Sequence, residues 1–122
     1  MQIQIHLDTF QKNNLLVGNQ LATEIASSSP ELRAFVVIGA YTLSRPHKPS
    51  KYLNKSTDDV RFWIRRYEVD KAKIEEYITH DDLVASTYVK DIKDIDELEK
   101  ELGKYIDDFS AMKPDWYVDN PL

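Results

Sequence analysis

The chain has 122 residues, of which 42% are hydrophobic and 30% charged, and its formal net charge is −5. That is the length of one domain, with enough apolar residues to bury a core without covalent staples. It has no cysteine, and its three glycines, Gly18, Gly39 and Gly103, stand alone, which excludes a disulfide scaffold, thiolate chemistry, a zinc ribbon and a glycine-rich phosphate loop.

Reading from the N-terminus, Ile3, Ile5 and Leu7 alternate with Gln4 and His6, the pattern of a half-buried strand over 2–7. No basic start with an apolar core precedes it, so no secretory signal is read and the expected compartment is the cytoplasm. Asp8 followed by Gln11 approximates a capping box. It opens an expected helix over 11–28, on which Val17, Leu21 and Ile25 recur at spacing four. Ser27-Ser28-Ser29-Pro30 ends that helix. Residues 30–33 read as a single turn. The following stretch, 34–43, is the most apolar of the chain, and the run Val36-Val37-Ile38 favours a central strand because branched Cβ atoms pack well on a pleat.

Residues 44–58 carry two prolines and few apolar residues and are expected to form a long basic loop. Residues 60–69 alternate again, with Val60, Phe62 and Ile64 on one face and Arg61, Trp63, Arg65 and Tyr67 on the other. A short helix over 71–79 and a strand over 83–89 follow. Asp94 with Glu97 opens a long helix over 95–111, whose stripe is Ile95, Leu98, Leu102, Tyr105, Ile106, Phe109 and Met112. Pro114 stops it, leaving residues 113–122 as an aromatic and acidic tail. The expected fold is a single α+β domain over 1–122. An antiparallel sheet has helices on one face, in the ferredoxin-like split order β-α-β-β-α-β, with one C-terminal helix added.

Charge is unevenly spread. Residues 1–44 hold three acids and two bases; 45–66 hold two acids and seven bases; 67–122 hold sixteen acids and seven bases. The two larger segments are therefore net +5 and net −9, and each can answer the other or meet a separate partner.

The candidate binding surface is the 60–67 strand and the loop that rims it: Arg61, Trp63, Arg65 and Tyr67, with Arg45, Lys48 and Lys51. Guanidinium groups stack on aromatic faces, and nucleic-acid bases and phosphates would meet both. The plainer reading is preferred: the C-terminal tail or a second subunit covers Trp63 and Tyr67, and acids pair Arg61 and Arg65. His80-Asp81-Asp82 looks like a metal or acid–base cluster, but neighbours in a loop diverge and metal sites draw ligands from several segments. No catalytic residue, metal or cofactor is assigned.

The expected function is a non-enzymatic protein-interaction or regulatory module, with a second copy of the chain as candidate partner through an aromatic-rich sheet face. Three alternatives are kept. One is an acidic inhibitor or immunity-type protein docking a basic partner through the 95–111 helix, with Asp96, Glu97 and Glu101 in contact. Another is single-stranded nucleic-acid binding through 45–67. The last is a small enzyme or ligand binder with a sheet-face cleft containing His6, Tyr67 or Tyr88. No membrane partner is implied.

Overall fold

The structure is a computed structural model, and it describes residues 3–42, 60–73 and 83–114. Within them lie helix α1 (Thr9–Leu16), strands β1 (Leu21–Ile25), β2 (Leu32–Thr42), β3 (Val60–Asp70) and β4 (Leu83–Ile92), helix α2 (Ile95–Leu102) and a two-residue strand β5 (Lys113–Pro114). The strands form one sheet in the order β4-β3-β2-β1-β5, and every pairing is antiparallel. The class is α+β, as expected, with both helices contributing to the core on one face. No described helix is long and apolar enough to cross a membrane.

The expected split order is corrected. The four long strands run as a meander in chain order, with no helical crossover between paired strands among the described residues. Three local departures explain this. Residues 3–7 are not a strand, although Leu7 is buried; Ile3 and Ile5 are exposed. Distant groups hold the segment instead: the Gln4 amide donates to the Asp108 carboxylate at 3.2 Å, and the Phe109 amide donates to the Gln4 carbonyl at 2.8 Å.

The expected 11–28 helix is only eight residues long, over Thr9–Leu16. The capping box forms as read: the Gln11 amide donates to the Asp8 carboxylate, and the Asp8 amide to the Gln11 side chain. Gly18, at φ 93°, then ends the helix. Its amide reaches the Leu15 carbonyl, and the Asn19 amide reaches the Asn14 carbonyl, the two bonds of a Schellman stop that favours glycine at this left-handed position. Leu21–Ile25 continues as β1. The 95–111 helix likewise ends at Leu102, and its last part is a 3-10 turn over Phe109–Ala111. The apolar stripe survives the break: Leu98, Leu102, Phe109 and Met112 are buried in the core, with Ile95, Tyr105 and Ile106 packed against it.

Of the remaining expectations, the strands read over 34–43, 60–69 and 83–89 are found as Leu32–Thr42, Val60–Asp70 and Leu83–Ile92, with residue 43 outside the described residues. Residues 30–31 form a turn, where the Leu32 amide donates to the Ser29 carbonyl at 3.1 Å. Lys71–Lys73 is a 3-10 turn; the rest of the expected 71–79 helix, the 44–58 loop and the tail beyond Pro114 lie outside the described residues.

The helix-side core is built on Leu21, Val36, Ile38, Val60, Phe62, Ile64 and Ile92, with Leu15 from α1 and Leu98 and Leu102 from α2. Where that face runs out toward the β1–β2 hairpin, Glu68 is buried. It accepts from the Ser28 amide and hydroxyl (3.1 and 2.8 Å) and from Arg66 at 2.8 Å. The Ser28 hydrogen bonds and the Arg66 charge outweigh burial and hold the carboxyl below its ordinary value. A carboxyl depressed in the folded state stabilises it above the unfolded pKa, and loses that contribution as pH falls through the folded value. Urea unfolding of the native chain between about pH 5 and about pH 3 should therefore show a steeper loss of stability than the same series on Glu68→Gln.

Candidate protein-interaction surface

The second face of the sheet is where β3 places its predicted residues. The β2–β3 register sets Phe35 beside Tyr67, Val37 beside Arg65, Gly39 beside Trp63 and Tyr41 beside Arg61. The β3–β4 register adds Tyr88 beside Arg65 and Ser86 beside Tyr67. Directly opposed residues project to the same face. Phe35, Tyr67, Val37, Val69 and Ala22 form a second apolar cluster to which neither helix contributes.

Its centre is closed. Phe35 and Tyr67 are wholly buried and stack with ring centroids 5.5 Å apart. Tyr67, expected as a contact residue, is therefore a packing residue with no surface on which to stack a base. Arg33 closes one flank, lying 5.0 Å over the Phe35 ring while its guanidinium holds Glu24 through two bonds of 2.9 and 2.8 Å.

The other flank, toward β4, is different. Trp63 is half-buried and Tyr88 is exposed, with ring centroids 6.1 Å apart. The Arg65 guanidinium lies 4.7 Å from the Tyr88 ring centre, a cation–π contact. Trp63 rests on Gly39: a Cβ at that glycine would sit 2.5 Å from the indole Cε2 and Cζ2. The absent side chain is what lets the indole lie flat across the neighbouring strand. Gly39→Ala should then cost about 1–3 kcal/mol, as overpacking does. In a Trp63→Ala background the same change should become neutral or mildly stabilising, because alanine suits a strand better than glycine. Urea unfolding of the two singles and the double checks this.

Beyond Tyr88 the sheet ends. β4, ten residues long, is the terminal strand of the sheet among the described residues and pairs there only with β3. Leu83-Val84-Ala85-Ser86-Thr87-Tyr88-Val89 contains no charge and no proline, and residues 84–88 are all exposed. Val84 keeps 59% of its surface in solvent and Tyr88 47%. Proteins ordinarily protect such an edge with charge, proline or brevity. The opposite edge is protected in that way, being two residues long and ending in Pro114. β4 is irregular at both ends: its register with β3 shifts between Glu68 and Val69, leaving Val84 as the extra residue of a bulge, and again between Phe62 and Ile64, near Asp91, at φ 60°, whose carboxylate accepts from the Tyr41 hydroxyl and whose amide donates back to it. Burial and then Asp91 push the Tyr41 phenol up to about 12, so it stays a donor.

The other candidate residues are placed as follows. Arg61 bonds the Val60 carbonyl at 2.8 Å. Arg45, Lys48 and Lys51 lie outside the described residues, as do His47 and the His80-Asp81-Asp82 cluster. His6 bonds Glu99 of α2 at 3.0 Å, so it belongs to the helix side and is not brought together with Tyr67 or Tyr88. The acids of α2 are partly engaged inside the molecule. Glu99 also accepts from the Leu7 amide at 2.7 Å, and Glu101 pairs Lys104 at 3.0 Å. A cleft of about 610 Å³ lies on the helix side, between Lys12 and Leu16 of α1, Val60 and Phe62 of β3, and Ile95 and Asp96 of α2.

Sequence reasoning located Trp63, Arg65 and Tyr88 but missed Gly39, Phe35 and the exposed run on β4. The uncharged run over 83–89 was the available signal, and its meaning depends on knowing that β4 is an edge. The chain matches no protein-family model, no curated protein and no solved structure.

Proposed function

We propose that this protein is a non-enzymatic interaction module that binds protein, with a second copy of itself as partner, through the β4 side of its sheet. The observation that carries the reading is the exposed, uncharged run over residues 84–88 of β4, bordered by Trp63 and Arg65. Tryptophan, tyrosine and arginine are the residue types that dominate interface energies. The buried centre of the second face offers no contact surface, which moves the expected sheet-face interface to this flank. Backbone amides and carbonyls on the outer side of β4 would supply the direction of binding, and the aromatic flank would supply apolar area.

Sedimentation equilibrium from micromolar to millimolar protein tests this. A concentration-dependent rise in mass is expected, with Tyr88→Ala weakening association by about tenfold or more. A single monomeric mass over the whole range would contradict it.

A further inference from the structure

We infer that the gap between α1 and α2, on the helix side of the sheet, binds a small amphipathic carboxylate: an aliphatic chain ending in one carboxyl group. The gap originates in a mismatch of lengths. Each helix has eight residues, about 12 Å of axis, whereas β3 has eleven, about 36 Å when extended. α1 packs over β1, β2 and β5, and α2 packs over β3. The start of β3 is left between them as the floor of the cleft of about 610 Å³. Small-molecule sites occupy about 300–1,000 Å³.

The lining divides into two zones. The apolar zone has Val60 and Phe62 of β3 as its floor, with Leu16 of α1 and Ile95 of α2 as walls, both only partly buried. An aliphatic chain would cover the apolar surface left open there. The charged zone sets Lys12, Arg61 and Lys93 against Asp94 and Asp96, a cationic surplus in a chain of net charge −5. The Asp94 carboxylate is already engaged, accepting from the Glu97 amide at 2.8 Å as the cap of α2. Lys12 and Lys93 are exposed, and their side chains form no ion pair among the described residues. One comes from α1 and the other from the turn before α2, so a carboxylate at the mouth would meet a cation from each wall. A cationic amphiphile would meet the same lysines as repulsion, with Asp96 to offset them. Trp63, Arg65 and Tyr88 do not line this cleft, so the site stands or falls apart from the β4 contact.

Decanoate is the probe, titrated below its micellar concentration into the isotope-labelled chain and followed by methyl NMR. The Leu16 and Ile95 methyl groups should shift saturably with a Kd of about 0.1–1 mM, the strength expected of so small a ligand. Decyltrimethylammonium should bind about tenfold more weakly. Lys12→Glu with Lys93→Glu should weaken decanoate by about tenfold, the sum expected of two exposed charges, and should strengthen the cationic amphiphile. Ile95→Trp fills the cleft and should abolish the shift of Leu16, with circular dichroism melting to establish that the variant is folded. Three results would overturn the site: no saturable shift, equal binding of the two amphiphiles, or shifts that follow protein concentration alone, which would seat a second copy in the cleft.

Discussion

Truncation of Tyr67 to alanine is expected to destabilise the protein by about 3–5 kcal/mol, the cost of removing a large buried aromatic side chain. Tyr67 is wholly buried and stacks on Phe35, itself wholly buried, in the cluster with Ala22, Val37 and Val69. Phe35→Ala should cost a similar amount. The double variant should cost less than the two together by about 0.5–1.5 kcal/mol, the coupling typical of an aromatic pair. Urea unfolding of the three variants measures all of these terms. A Tyr67→Ala loss under 1 kcal/mol would mean that the second cluster does not hold the sheet. Because Tyr67 neighbours Ser86 across the β3–β4 register, this variant should also loosen β4. A surface role for Tyr67 would instead weaken association while leaving stability unchanged.

Gln11→Ala should cost about 3 kcal/mol, well beyond the value of an ordinary helix cap. The Gln11 side chain is buried and fully engaged. Its amide nitrogen donates to the carbonyls of Phe109 and Met112 at 2.7 and 2.9 Å, and its oxygen accepts from the Asp8 amide and the Gln4 side chain at 2.9 and 2.7 Å. Alanine would leave two carbonyls in the turn around Phe109–Ala111 without this donor, and each stranded buried group carries a desolvation penalty of about 1–3 kcal/mol. Gln11→Glu is the sharper variant, since its carboxylate would face those carbonyls as an acceptor against acceptors. It should be at least as damaging at neutral pH and partly relieved in acid, where protonation restores a donor. Thermal unfolding at two pH values checks the sign. Equal stability of Gln11→Glu and the native chain at neutral pH would show that these bonds do not hold α1 to the C-terminal turn.

These two residues also show what could be read in the chain. Gln11 was legible as half of a capping box because that partnership is local. Its bonds to Phe109 and Met112 join residues about a hundred positions apart, and no local pattern announces them. Tyr67 was legible as a residue on the face of a strand. Its burial depends on Phe35 from β2, which only the register reveals. The misread helix over 11–28 has a clear physical origin. Val17, Leu21 and Ile25 recur every four residues, and four is both a helical spacing and twice the strand repeat. On β1, Leu21, Thr23 and Ile25 share the helix-side face, and the signal that separates the readings is Gly18 with its left-handed backbone. The 3–7 alternation misled for another reason: polar residues of α2 and of the C-terminal turn hold that segment in place of a sheet neighbour.

Charge division along the sequence pointed to the region before residue 67, and the proposed contact lies on one flank of β3 and on β4 beside it. Part of the acidic C-terminal half is answered internally by His6, the Leu7 amide and Lys104. The surface that stands out is uncharged. Amide hydrogen exchange across β4, followed as a function of protein concentration, therefore reads the proposed contact itself. In dilute solution, the amides of residues 84–88 that do not bond β3 should exchange freely. As concentration rises they should become protected, in step with the mass seen by sedimentation, while the amides of α1 and α2 stay unchanged. Association that leaves exchange in β4 independent of concentration would contradict this account.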